Sequence, residues 1–237
     1  MKSCSNLEDW KVMRKAIILA YIAQPLNNSR LKKFTQEAVA AGALLICADS
    51  AGEAALAWDL LPHWLVGDMD SIAPAVLREL TARPSVKVDS HPAEKDETDL
   101  ELAIERALSE GATEITIVGG VGGRLDHTLG NLYLLAMPSL ARSKARVRIL
   151  SENEEVFLLS PDDSPLLLEG KKGELVSLFP FNGDATGVYT ENLYYPLRHE
   201  TLYFGPSRGI SNVMLAESAE ISLEEGRLLI IHTFAQS

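Results

Sequence analysis

From residue 16 to residue 137, short apolar runs alternate with segments of helical composition, and this alternation restricts the fold more than any other feature. Ala43-Leu-Leu-Ile-Cys-Ala48 is the clearest run. It has no polar alternation, so both of its faces call for burial, as in an inner strand of a parallel sheet. Ala16–Ala23, Trp64–Val66, Val86–Val88 and Ile115–Val118 read as further strands. Between them, Ser29–Ala41 (closed by Gly42), Ala51–Leu61, Pro74–Ala82 and Leu129–Met137 read as helices. Pro74 suits a helix first turn. Thr98 and Glu101 have the spacing of a capping box. Behind them Leu100, Ala103, Ile104, Ala107 and Leu108 make an apolar stripe at helical period, closed by Gly111. Strands alternating with helices predict βαβ units: an α/β domain with a mostly parallel, Rossmann-like sheet and helices on both faces.

The texture changes near residue 145. Val147–Leu150, Val156–Leu159, Leu166–Leu168, Glu174–Phe179, Ala219–Leu223 and Leu228–His232 are short β-rich runs parted by Gly, Pro, Asn and Asp. They predict a C-terminal antiparallel β-sandwich or barrel over residues 146–237, following an α/β domain over 1–145. The basic stretch Lys11–Lys15 before Ala16–Ala23 also has the form of a signal-peptide start. The apolar run is short, however, and Pro25 follows, so a first buried strand is the preferred reading. Trp10, Trp58 and Trp64 read as core or interface residues.

Composition narrows the function classes. The chain has 237 residues, 46% of them hydrophobic, enough for a real core. Lys+Arg number 22 against 33 Asp+Glu, a net charge of −11. That balance argues against nucleic acid as the main partner, because phosphate backbones recruit basic surfaces. A small phosphorylated ligand stays open, since a bound cation offsets local charge. The two cysteines, Cys4 and Cys47, form no disulfide framework, which makes a reducing, cytoplasmic location the default. No apolar run approaches the roughly 18 residues of a membrane span.

The informative carboxylates fall where strands end. Asp49-Ser-Ala-Gly52 follows the Ala43–Ala48 run, and Gly67-Asp68-Met-Asp70-Ser71 follows Trp64–Val66. Glu94-Lys95-Asp96-Glu-Thr98-Asp99 follows Val86–Val88 and a loop. Gly119-Gly120-Val-Gly122-Gly123-Arg124-Leu-Asp126-His127 follows Ile115–Val118. In open parallel sheets, ligands bind beyond the carboxyl ends of the strands, so these clusters are expected to converge on one crevice. Asp68 and Asp70 have the spacing to offer hard oxygens to one Mg²⁺, which takes one or two carboxylates and fills the rest with water and phosphate oxygens. Asp96 and Asp99 are spaced to share a helix face. Read singly, Asp99 is more readily a helix cap than a ligand, and Asp68 and Asp70 are equally turn formers. The glycine run is either a phosphate cradle with Arg124 as a forked contact, or a tight turn. It matches neither Gly-x-Gly-x-x-Gly nor a Walker A loop. Asp126 either orients a hydroxyl or caps a helix, and Lys95 is either a phosphate contact or a solvated side chain.

Together, Asp49-Ser-Ala-Gly, Gly67-Asp-Met-Asp-Ser71, Lys95-Asp-Glu-Thr-Asp99, Gly119–His127 with Asn131, and Gly209-Ile-Ser-Asn212 resemble the thiamine pyrophosphokinase family over about residues 16–232. The resemblance implies transfer of a pyrophosphoryl group from ATP to the hydroxyl of thiamine, giving thiamine diphosphate and AMP with Mg²⁺. It implies a homodimer with active sites between subunits. It assigns Asp68, Asp70 and Asp99 to the metal, and Asp70, Asp99, Arg124 and Asp126 to catalysis. It assigns Asp49, Ser50, Lys95, Asp96, Thr98, Gly119, Gly120, Gly122, Gly123, Arg124 and His127 to the nucleotide side. Ser211, Asn212 and Asp126 fall to thiamine. Met69 stands where the family usually has Phe, a volume-tolerant exchange. Residues before about Lys11 look like an extension. Two competing readings stay open on the residues alone: a metal-dependent phosphoesterase, though no Asp-His-His is present, and a non-catalytic nucleotide- or thiamine-binding module.

Overall fold

The computed structural model describes residues 14–22 and 29–235. Trp10, Cys4, Pro25 and the N-terminal extension lie outside the described residues. The first half alternates as its patterning requires: β1 (Lys15–Leu19), α1 (Ser29–Ala40), β2 (Leu44–Ala48), α2 (Ala51–Ala57), β3 (Trp64–Gly67), α3 (Pro74–Thr81), β4 (Lys87–Ser90), α4 (Asp99–Ser109), β5 (Glu114–Val118) and α5 (Leu125–Leu134). Then come α6 (Pro138–Ser143), β6 (Arg146–Leu150), β7 (Glu154–Leu159), β8 (Leu166–Glu169) and β9 (Leu175–Pro180). The last are β10 (Ala185–Glu191), β11 (Arg198–Leu202), β12 (Asn212–Val213), β13 (Ser218–Ser222) and β14 (Leu228–Thr233). Patterning alone missed α6, β10, β11 and β12. It also started α5 four residues late, because Leu125 and Leu129 are exposed and give no buried stripe.

A single ten-stranded sheet runs through the molecule in the order β12-β9-β14-β7-β6-β5-β1-β2-β3-β4. The stretch from β4 to β6 is parallel, and β7, β14, β9 and β12 extend it antiparallel. Alternate residues of each inner strand feed opposite layers. Ala16 and Ile18 of β1 face the α4–α6 layer, while Ile17 and Leu19 face α1–α3. That two-sided demand is why β1 and β2 are almost wholly apolar. A separate antiparallel sheet, β11-β10-β13-β8, packs its inner face on the extension. The core between them is Leu159, Val176, Leu178, Leu228 and Ile230 against Leu168, Val188, Leu202, Ala219 and Ile221. The fold is therefore an α/β domain followed by an antiparallel β-sandwich, with one layer of the sandwich continuous with the parallel sheet. One strand departs from expectation. Val147–Leu150, grouped by composition with the C-terminal β-rich part, is parallel to β5 in register Ile115↔Val147. Composition could not reveal this, because strand direction depends on the crossover through α5 and α6.

A buried charge network ties the extension together. His232 on β14 is fully buried; its Nδ1 lies 3.0 Å from Glu155 Oε1 on β7 and its Nε2 2.9 Å from Glu174 Oε2. Arg148 of β6 bonds Glu155 at 2.9 Å, and the amides of Lys171 and Ala235 donate to Glu174. Burial opposes the imidazolium, but the bonds to Glu155 and Glu174 outweigh it, so the His232 pKa lies above 6.5. Burial would raise Glu174, yet its donors win and its pKa lies below 4.5. A raised histidine contributes stability in full below 6.5 and loses it as pH rises through the folded value. A lowered carboxylate contributes above 4.5 and loses it as pH falls. Thermal melts across pH are expected to show wild-type Tm declining above pH 6.5, with that limb flattened in His232→Gln. Parallel curves for the two proteins would refute the assignment.

Candidate active site

The parallel strands deliver their carboxylates to one end of the sheet. Asp49 follows β2 directly, Asp68 follows β3, and Asp99 opens α4. One oxygen from each of the three lies within 4.8 Å of the others. Backbone bonds fix the approach: Asp49 N donates to Val66 O at 2.8 Å, and His91 N to Gly67 O at 3.0 Å. Thr98 Oγ1 accepts from Glu101 N at 3.2 Å, so α4 starts where the capping pattern put it and Asp99 sits in the first turn. Thr98→Ala is expected to lower stability by ~1 kcal/mol, read by denaturant unfolding.

Three carboxylates this close repel one another. Asp49 is only 5% exposed, and its Oδ1 has no hydrogen-bond partner. Burial pushes its pKa up, and the charges of Asp99 and Asp68 push the same way. Asp68 goes the other way, lowered by the Asp70 amide that donates to its Oδ1 at 3.1 Å and by Lys95. Lys95 Nζ lies 3.4 Å from Asp68 Oδ2 and 3.0 Å from Asp99 Oδ1, the latter an ion pair without hydrogen-bond alignment. An orphaned buried carboxylate oxygen beside two more hard oxygens suits a divalent cation, so the residues present fit Mg²⁺.

The placement differs from the sequence reading in two residues. Asp70, expected among the metal ligands, is exposed and lies outside this group, its Oδ1 accepting from Ser71 Oγ at 2.8 Å. Asp49, expected on the nucleotide side, takes its place. Its signal was legible: an aspartate immediately after the most buried strand. Asp96 precedes α4 and is exposed, outside the group. Ser50 is the first residue beyond Asp49 and precedes α2 without a side-chain cap bond.

The glycine run begins at the β1/β5 switch point, where the strand order reverses. Gly119, Gly120, Gly122 and Gly123 all have φ between 74° and 90°. A Cβ on Gly119 would lie 2.7 Å from Tyr21 O, so only glycine fits. Asn131 Nδ2 donates to Gly120 O at 2.6 Å, and Gly122 N donates to Thr128 Oγ1 at 3.1 Å. Asn131 and Thr128 thus brace the loop from α5. The Thr128 contribution left no sequence signal. Arg124 is forked onto Asp126, Nε to Oδ1 at 3.1 Å and Nη2 to Oδ2 at 2.6 Å, both side chains exposed. The Arg124 bond, with the His127 amide, holds the Asp126 pKa down at about 2. A carboxyl that acidic is a poor proton acceptor near neutral pH.

Ser211 and Asn212 lie elsewhere. Asn212 lines a cavity of about 360 Å³ with Leu178, Tyr195, Leu197, Arg208 and Ile210, and Ser211 is its chain neighbour. Ser211 is exposed in a left-handed conformation, φ 57°. Asn212 is buried; its Oδ1 accepts from Tyr195 N at 2.9 Å and its Nδ2 donates to Tyr195 O at 2.7 Å. β12 forms one edge of the ten-stranded sheet and β3 is second from the other. Eight strand steps of about 4.8 Å separate them, roughly 38 Å. The carboxylate group and Ser211–Asn212 thus lie toward opposite ends of the sheet.

Comparison with known proteins covers most of the chain. Residues 35–149 match the family model described as thiamin pyrophosphokinase, catalytic domain, and residues 166–228 match thiamin pyrophosphokinase, vitamin B1 binding domain. The thiamine pyrophosphokinase of Bacillus subtilis is 30% identical over 175 residues, 73% of this chain and 79% of that protein. The crystal structure of thiamine pyrophosphokinase from Bacillus subtilis superposes with a TM-score of 0.81 at 27% identity, covering 94% of this chain and 100% of that one. One from Geobacillus thermodenitrificans gives 0.77 at 25% identity, covering 95% and 99%. With its carboxylates gathered at the carboxyl ends of β2 and β3, its glycine loop at the switch point and its β-sandwich behind, the chain belongs to the thiamine pyrophosphokinase family.

Proposed function

We propose that the chain forms thiamine diphosphate by moving the pyrophosphoryl group of ATP, with Mg²⁺, to the hydroxyl of thiamine and releasing AMP. The observation that carries this reading is the convergence of Asp49, Asp68 and Asp99 in a chain of this family. In the reaction the thiamine oxygen bonds to the β-phosphorus, the bridge to the α-phosphate breaks, and the hydroxyl proton leaves to solvent or a carboxylate. Mg²⁺ would be held by Asp49, Asp68 and Asp99, with Asp70 beside them, and would neutralise phosphate charge. The chain's own residues position and screen. The loop Gly119, Gly120, Gly122 and Gly123 shapes the phosphate side without a Cβ in the way, the amides of Gly119, Gly120 and Gly122 being held by Leu150 O, Tyr21 O and Thr128 Oγ1, with Ser50, Lys95, Asp96, Thr98 and His127 around the nucleotide. Arg124 reaches phosphate oxygens through the guanidinium N–H groups that its fork on Asp126 leaves free. Held acidic by that pair, Asp126 orients the hydroxyl rather than accepting its proton. Attack at the β rather than the γ phosphorus follows from positioning.

Residues 1–145 would serve the nucleotide and metal, and 146–237 thiamine, through Ser211 and Asn212. The separation between these two parts supports a homodimer in which each chain completes the other's site. Exposed apolar surface supports it too: Leu125, Leu129 and Tyr133 on α5, and Tyr194, Tyr195, Tyr203 and Phe204 in the β-sandwich half. No helix among the described residues is long and apolar enough to cross a membrane. Cys47 is a free, buried thiol, which suits the cytoplasm.

Incubating the protein with MgATP and thiamine tests the activity: AMP and thiamine diphosphate should appear in equal amounts. Inorganic phosphate released without thiamine would favour a phosphoesterase, and binding without AMP a sensor module. Subunit sharing has its own test. Asp68→Asn and Ser211→Ala/Asn212→Ala chains, each nearly inactive, should regain about a quarter of wild-type activity when unfolded together and refolded, since half the dimers are hybrids with one intact site of two. No recovery would place each site within one chain.

A further inference from the structure

The carboxylate group already holds a cation of its own. Lys95 reaches it from the loop before α4, four residues ahead of Asp99. Its side chain is 11% exposed, and Nζ lies 3.0 Å from Asp99 Oδ1 and 3.4 Å from Asp68 Oδ2. It balances two of the three carboxylates and leaves Asp49 Oδ1 without a partner. An ammonium is a compact point charge on a flexible stem, able to swing away from a site, whereas a guanidinium fork would lock onto it. We propose that Lys95 is a built-in counter-ion that occupies the metal-free site and is displaced by the divalent cation. This rests on the reading that Asp49, Asp68 and Asp99 hold that cation.

The consequence runs against the usual expectation for a positive side chain in an active site. Lys95 keeps the carboxylates together before metal arrives, and it weakens metal binding while it stays. Once displaced, its charge is free for the phosphate oxygens that enter with the cation. Two readouts test this without turnover. The first is calorimetric titration of Mn²⁺ alone, with no nucleotide. The second is thermal melting in chelator and in saturating Mn²⁺. Lys95→Met and Lys95→Gln both remove the charge, and Gln keeps a hydrogen-bond donor.

Both variants are expected to bind Mn²⁺ about tenfold more tightly than wild type, the scale of removing one nearby like charge in a partly screened site. Both should melt lower than wild type in chelator, with the gap narrowing at saturating Mn²⁺. A folded Lys95→Met protein that binds Mn²⁺ no more tightly than wild type overturns the proposal. So does an equal drop in Tm with and without Mn²⁺, the behaviour of a purely structural ion pair. Tightening in Lys95→Met but not in Lys95→Gln would assign the effect to the donor rather than the charge, and also overturns it. If the wild type takes up no Mn²⁺, or Asp68→Asn takes it up as well as wild type, the metal reading of the triad fails first and Lys95 falls with it.

Discussion

Asp68→Asn is expected to lower kcat for thiamine diphosphate formation by ~100-fold or more, the scale for losing one key electrostatic group at a reacting phosphate. The substitution is chosen to isolate charge. The carboxamide oxygen of the variant can still accept from the Asp70 amide that Asp68 holds at 3.1 Å, so the turn after β3 survives. Its charge is net stabilising, since the Asp70 amide and Lys95 hold the Asp68 pKa down, so the metal-free Tm should fall modestly while the protein stays folded. Loss of turnover far beyond that small drop in Tm is therefore the signature of a metal and phosphate role. Near-normal turnover would remove the triad from the mechanism. Asp70→Ala, measured in parallel, is expected to lose turnover on the same scale if Asp70 joins the group when nucleotide binds; wild-type turnover would leave it a turn residue.

Gly67→Ala is expected to damage both stability and turnover. Gly67 has φ 144°, and a Cβ there would lie 3.0 Å from Asp99 Cγ and 3.1 Å from Asp49 Cβ. The methyl would wedge into the carboxylate group from beneath. A strained backbone plus overpacking costs about 1–3 kcal/mol, which for a chain of this size lowers Tm by ~2 °C or more. Displacing a carboxylate by about 1 Å costs up to ~100-fold in turnover. Gly42→Ala is the control: its φ is 93°, but a Cβ there meets nothing within 4 Å. It should lose stability through backbone strain and keep turnover. Equal turnover losses in the two variants would mean that general destabilisation, not the carboxylate geometry, is responsible.

Much of the α/β half was legible because its signals are local. The run Leu44–Ala48 is apolar on every residue since helices cover it on both sides. Thr98 and Gly111 bracket α4 because helix ends leave backbone groups that only certain residues satisfy. α5 was harder, for it buries no residue and so carries no stripe. In the C-terminal half, β10, β11 and the two-residue β12 escaped notice because strand pairing there is set by partners distant in sequence.

The site divides the same way. That aspartates and glycines follow strands, in an order resembling one family, was readable along the chain, because loops after parallel strands lie at one end of a sheet. Which carboxylates meet was not. Asp70 is two residues from Asp68 yet points out of the group, while Asp49, nineteen residues before Asp68, points in. Nor was it readable that Lys95 sits between Asp68 and Asp99, or that Asn212 stands across the sheet from all of them. Composition and period report a residue's own preference for burial and backbone shape. The meeting of side chains depends on strand order and crossover, which tertiary packing alone decides.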